Sequence, residues 1–309
     1  MAGPYNGGDV GRRRLTALGA LRHDVHMDTP DRPPLDADFL RELLVGPDGP
    51  LARLEIVESS ASTNTQLASS AAADPDAWPA PALLVAEHQV AGRGRAGRVW
   101  ETPARAALTC SLLVRPQVPR EAMSWLPLLA GLATVTALRS TLGLQAVVKW
   151  PNDVLVEDAG SPLEGWGSAR KVAGILAELL PDGGAVVGIG VNVSQTAEEL
   201  PVESATSLAL AGAATIDRVV ILTALGEAFT SVLGRWTAAD GDVAAAGLDE
   251  EIASVSATVG SQVRVSLLDG SSVLGEAVGH APDGGLLVRD VDGRTQTVRS
   301  GDVHHLRVG

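Results

Sequence analysis

Between residues 83 and 193 the chain carries a succession of short apolar runs, at 83–86, 107–114, 146–149, 172–179 and 185–193, separated by polar or glycine-bearing segments. Runs of this length suit strands better than helices. Several strands must pair edge to edge to satisfy their backbone groups, so a mixed or antiparallel sheet follows. Residues 123–142 break the pattern. They form a long, alanine-rich apolar stretch and are read as a helix packed on that sheet. The expected class is therefore α/β in the broad, α+β sense.

The flanks complete the layout. Residues 36–44 suit a short capped helix, 53–57 a strand, and a second helix is expected to begin at Ser62, whose hydroxyl can cap its first turn. Helical spacing returns over 218–236. Beyond a boundary near 245–258, the pairs Asp269-Gly270, Asp283-Gly284 and Asp292-Gly293 mark turns between runs at 263–267, 286–288 and 295–298. About fifty residues with that spacing predict a small antiparallel barrel. Residues 1–34, with their glycines, basic triplet and proline pair, read as a disordered lead. The expected domains are 1–34, 35–255 and 256–309.

Composition narrows the class of function. A formal charge of −13 opposes non-specific binding of nucleic acid by the whole surface. With 3% aromatic residues, an RNA-stacking module lacks its stacking platforms. No run of eighteen residues is free of charge and polar breaks, so no membrane span is expected. Cys110 is the only cysteine and lies in an apolar run, which excludes a disulfide framework, predicts an inert buried thiol and fits a reducing cytoplasm. His280, His304 and His305 lack metal-ligand spacing and are expected at the surface. Of 24 basic residues only two, Lys149 and Lys171, are lysines.

Those two lysines sit in the motifs that carry chemistry. The densest motif, Gly92-Arg93-Gly94-Arg95-Ala96-Gly97-Arg98-Val99-Trp100, formally satisfies the dinucleotide fingerprint, but Glu101-Thr102-Pro103 denies it the helix that fingerprint opens. It reads instead as a flexible cationic loop able to close over an anion, since glycine allows close approach and arginine offers forked donors. On the loop alone, a solvated turn or an RNA-contacting segment serves equally well. Lys149-Trp150-Pro151-Asn152-Asp153 sets an ammonium, an amide and a carboxylate at a strand end, a combination suited to phosphate and a hard cation, although so short a segment taken alone favours a strand-end turn with a surface ion pair. Lys171 opens the run that continues through Gly174 to Glu178. Gly188 to Val193 is a glycine-marked strand ending beside the amide of Asn192.

Together with Ser62-Thr63-Asn64 and Gln89, these segments occur in the order and spacing of biotin protein ligases, which residues from about 50 to 309 resemble. The resemblance implies a catalytic domain related to class II aminoacyl-tRNA synthetases and a C-terminal SH3-like barrel. It implies activation of biotin by ATP with Mg²⁺ to biotinyl-adenylate, then transfer to a lysine of a biotin carboxyl carrier domain of an acyl-CoA carboxylase. It implies that Ser62, Thr63, Asn64, Gln89, Arg93, Gly94, Arg95 and Lys171 form the biotin site, with Lys171 and Arg95 catalytic. Arg95, Trp100, Lys149, Asn152, Asp153 and Asn192 would bind ATP or the adenylate, and Asp153 the metal. Some members carry an N-terminal DNA-binding domain. The few unpatterned residues before the first strand here lead to the expectation of none, with no nucleic-acid or membrane partner and a monomer or weak homodimer. Between the lysine motifs lies a long insertion, residues 160–169, expected to be a hairpin tip.

Overall fold

The computed structural model describes residues 31–158 and 160–306. The lead expected over 1–34 lies outside the described residues except for 31–34, which have no regular structure. A compact unit begins at Pro34. Asp36 accepts a hydrogen bond from the Phe39 amide (3.0 Å) and starts helix α1, Ala37–Leu44, which turns Leu40 and Leu44 inward. Strand β1 (Arg53–Val57) leads to α2 (Thr63–Ala73). Ser62 is its N-cap residue, but its hydroxyl makes no capping bond, contrary to expectation.

There follow β2 (Ala82–Ala86), the two-residue strands β3 (Gly92–Arg93) and β4 (Val99–Trp100), and β5 (Ala107–Val114). Helix α3 (Leu126–Leu142) precedes β6 (Val147–Lys149), β7 (Asp153–Glu157), β8 (Ala169–Leu179) and β9 (Ala185–Asn192). Two helices, α4 (Arg218–Ala238) and α5 (Leu248–Ser254), then lead to five strands, β10 (Gln262–Ser266), β11 (Ser272–His280), β12 (Leu286–Arg289), β13 (Thr295–Val298) and β14 (Asp302–His305).

The expected sheet is present, with seven strands in the order β1-β2-β5-β9-β8-β7-β6. Only β1 and β2 run parallel; the remaining neighbours are antiparallel. Because side chains alternate across a sheet, its two faces differ sharply. Leu83, Val85, Leu108, Cys110, Leu112, Val187, Ile189 and Val191 enter the main core, which α1, α3 and α4 cover. Helix α3 is apolar almost all round and buried accordingly, with Gly131 close enough to the sheet that a methyl there would stand 3.2 Å from Val148. By length and composition the helical stretch Arg120–Leu142, which ends in α3, and α4 could each cross a membrane, yet here α3 is a core helix. On the opposite face α2 packs Leu67 and Ala71 against Leu84, Leu113 and Val186.

The tail forms a five-stranded antiparallel sheet, β13-β12-β11-β10-β14. It is clipped to the rest by two indoles, Trp125 donating to the carbonyl of Pro282 (2.8 Å) and Trp150 to that of Gly284 (3.1 Å). The apolar core runs on from Leu35 to Val303. His304 is exposed as expected, whereas His280 and His305 are half-buried, each with a buried Nε2 that has no hydrogen-bond partner among the described residues. His280 lies edge-on to Trp125, with centroids 5.7 Å apart.

Candidate active site

Residues missing from the second sheet face explain the cleft. Along β5, β8 and β9 the α2-facing positions include Thr109, Ser111, Gly174, Gly188 and Gly190, small or polar where the other face is aliphatic. Their lack of bulk leaves room, and each glycine is held by a specific neighbour. A methyl at Gly188 would stand 2.3 Å from Asn64 Oδ1, and one at Gly190 would stand 2.6 Å from the Trp100 ring. The cleft so formed is lined by Ser62, Thr63, Asn64, Gln89, Arg93, Gly94, Arg95, Arg98, Trp100, Asn152, Asp153 and Lys171, among others.

One end is a closed hydrogen-bond network at the start of α2. Gln89 Oε1 accepts from the Thr63 amide (2.7 Å) and hydroxyl (3.0 Å). The Ser111 hydroxyl lies 2.7 Å from Thr63 Oγ1 and 2.6 Å from Asn64 Oδ1. Asn64 Nδ2 donates to the Leu176 carbonyl (3.0 Å) and to Glu178 (2.8 Å), whose other oxygen pairs with Arg93 (3.2 Å). Such linked, buried polar groups fix one arrangement of donors and acceptors.

The other end is charged. Opposite β7, β8 shifts register between Val154 and Leu155, so that Val172 and Ala173 both enter the core and Lys171 is re-aimed toward the cleft. Lys171 Nζ meets Asp153 Oδ1 at 2.6 Å and lies 5.8 Å from the Trp100 ring centroid. The Trp100 indole N–H is buried without an acceptor among the described residues. Asn152 pairs with Ile175 through both its side chain (2.8 Å) and its carbonyl (2.9 Å), a brace that holds Asp153 at the strand start.

The glycine-arginine segment does not open a helix. It is the small hairpin β3–β4 with Ala96 and Gly97 at positive φ (55° and 75°) in its turn. Arg95 donates to the Gly301 carbonyl (2.5 Å) and to Asp302 (3.0 Å), and Arg98 reaches the second oxygen of Asp302. Two loop arginines thus share one carboxylate at the start of β14.

Two residues that the resemblance assigned to the site stand outside the cleft lining. Asn192 is buried with both ends of its amide engaged, by the Thr206 carbonyl and by Gln195, each at 2.9 Å. Lys149 is buried beneath the indole of Trp166, 3.8 Å from its centroid, and burial pushes its ammonium below the usual lysine range despite Asp153. Cys110 does line the cleft, but burial raises its thiol to about 12, so it is inert as expected. Among the described residues no group of three or more His, Cys, Asp or Glu is placed to hold a metal.

The model of the biotin/lipoate A/B protein ligase family matches residues 57–195, which include the network, the arginine loop and both lysines. Over 280 residues the chain is 39% identical to the biotin–[acetyl-CoA-carboxylase] ligase of Mycobacterium tuberculosis, covering 89% of this chain and 97% of that one. The chain belongs to the biotin protein ligase family. It is 33% identical to the bifunctional ligase/repressor BirA of Bacillus spizizenii over 54% of this chain and 49% of that protein. Among solved structures, the biotin protein ligase of Aquifex aeolicus in complex with biotin and ATP is 27% identical, with a TM-score of 0.63 over 82% of this chain and 99% of that one.

Sequence reasoning about this family member missed Ser111, Glu178 and Asp302. For Ser111 a signal existed: Thr109 and Ser111 are the only hydroxyl residues in an apolar run and lie two apart, on one face. Nothing near Asp302 in sequence marks it as a partner of a loop two hundred residues away.

Proposed function

We propose that the chain activates biotin with ATP to biotinyl-5'-AMP and transfers the biotin to a lysine of the biotin carboxyl carrier domain of an acyl-CoA carboxylase. The observation that carries this reading is the cleft itself. In a chain of this family it sets a pre-formed polar network, a lysine–carboxylate pair and an arginine loop around one space. Ser62, Thr63, Asn64, Gln89, Arg93 and Gly94 take biotin. Lys171 faces its carboxylate, where a positive charge offsets the repulsion between two anions that must meet. Arg95 stabilises the charge that develops at the α-phosphate.

Trp100, Asn152 and Asp153 face the nucleotide, with Lys149 and Asn192 supporting it from behind. ATP enters as its Mg²⁺ complex. Asp153 would hold that cation, whose charge would offset that of the phosphates. The C-terminal sheet serves as the SH3-like module of residues 256–309, beside a class II synthetase-like catalytic domain of 35–255. The protein works in the cytoplasm as a monomer or weak homodimer, without nucleic-acid or membrane partners.

Biotin-dependent exchange of pyrophosphate into ATP tests the reading. Exchange should require biotin, and Lys171→Gln should reduce it by about 10²- to 10³-fold, the usual loss for one preorganised electrostatic group. Exchange supported by lipoate and not by biotin would move the protein to the other branch of its family.

A further inference from the structure

The insertion between the lysine motifs is a built element. At its tip Leu163 and Gly167 form an antiparallel bridge, closed by the Gly167 amide on the Leu163 carbonyl (2.8 Å), with Gly165 and Gly167 at positive φ (74° and 60°). Beneath it the buried guanidinium of Arg170 donates to the carbonyls of Gly167 (2.9 Å), Ala169 (3.0 Å) and Ser161 (2.5 Å). Three bonds from one buried cation fix the tip, so Trp166 is presented in a set position over Lys149.

The two lysines are therefore treated differently. Lys171 is matched by a carboxylate. Among the described residues Lys149 has no ion pair, although it lies within electrostatic range of Asp153, Lys171, Asp302, Arg98 and His305. Its close partner is a ring face, which attracts a cation through its quadrupole and leaves the net charge in place. An ammonium held this way keeps its attraction for an incoming polyanion, whereas a salt-bridged one must first release its partner.

We propose that Trp166 is a positioning residue for ATP, acting through Lys149: the indole on the β7–β8 hairpin tip holds the Lys149 ammonium charged and in place beside the phosphate end of the cleft. This rests on the reading that ATP is a substrate and that Lys149 serves its phosphates.

The test compares wild type, Trp166→Phe, Trp166→Leu, Lys149→Gln and the double variant Lys149→Gln/Trp166→Leu. Biotin-dependent pyrophosphate exchange gives KM for ATP, KM for biotin and kcat, and calorimetry with ATP alone gives its Kd. Trp166→Leu should raise KM and Kd for ATP about three- to tenfold, as expected for loss of a desolvated cation–π contact. Biotin KM and kcat should stay within about twofold, and Trp166→Phe, which retains a ring, should fall between. In the Lys149→Gln background the leucine change should add nothing. The proposal is overturned if Leu and Phe behave alike, if ATP affinity is unchanged, or if the leucine effect persists without Lys149. Wild type that binds ATP but shows no biotin-dependent exchange would sink the functional reading, while the order of ATP affinities would still decide the role of Trp166. Wild type that binds no ATP sinks both. Because the tip is fixed by Arg170 rather than by the indole, the variants should fold, which thermal melting checks.

Discussion

A methyl group is the smallest probe of the cleft, and two glycines two residues apart report on different ends of it. Gly188→Ala would drive a Cβ to 2.3 Å from Asn64 Oδ1, breaking the network at the start of α2. Gly190→Ala would place one 2.6 Å from the indole of Trp100. The first should raise KM for biotin with ATP less affected, and the second should raise KM for ATP with biotin less affected. Each should destabilise by ~1–3 kcal/mol, the common cost of overpacking. Steady-state exchange kinetics and thermal melting check both, and parallel losses for both substrates in both variants would contradict the division of the cleft. These glycines were visible in the sequence as strand glycines, but their partners were not. Which side chain a strand glycine makes room for depends on register and on packing from a distant helix or loop. The same holds for Lys171, whose direction depends on a bulge that no residue type announces.

Elements were legible where apolar patterning is strong. The strands of the main sheet other than β7, helices α3 and α4, and the runs behind β10, β12 and β13 stand close to where periodicity put them. The short hairpin strands β3 and β4, helix α5 and three longer strands were not read. β7 follows the proline of the lysine motif, and β11 and β14 are rich in glycine, serine, histidine and acid, so their patterns blur. One of those unread strands governs the arginine loop, since Asp302 at the head of β14 takes both Arg95 and Arg98. These are partly exposed ion pairs, individually weak, so the loop is tethered without being locked. Backbone amides 92–98 should exchange rapidly in the free protein and slow when biotin and ATP are added. Asp302→Asn should speed exchange in the free state and leave the liganded state closer to wild type. Hydrogen-exchange mass spectrometry reads both, and equal protection with and without ligands would refute a closing loop.

For the whole molecule, two buried arrangements set how it tolerates change. Glu87 and Arg218 are both buried and pair at 2.6 Å, and Glu87 also accepts the Leu35 amide at 2.6 Å, so one carboxylate joins the start of α4 and the chain before α1 to the end of β2. Glu87→Ala leaves a buried cation without that partner and should cost ~3–5 kcal/mol in urea unfolding; a loss below 1 kcal/mol would show that the join carries little. His280 and His305 are held near pKa 4 by burial, His305 also by Lys149, against an ordinary 6.5. The unfolded chain takes up their protons first as pH falls. Stability should therefore be insensitive to these groups above pH 6.5 and decline between 6.5 and about 4, with a slope per histidine approaching ~1.4 kcal/mol per pH unit. His280→Gln should flatten that decline, and an unchanged slope would remove His280 from the account. The lysines carry a further consequence. Lys149 is buried under an indole, Lys171 faces the cleft, and the sequence contains no other. An acylating electrophile drifting past this molecule meets an outer surface of arginines and carboxylates bare of side-chain amines. Amine-directed reagents applied to the folded chain thus become, apart from its terminal amine, chemical reporters of the cleft and of whatever occupies it.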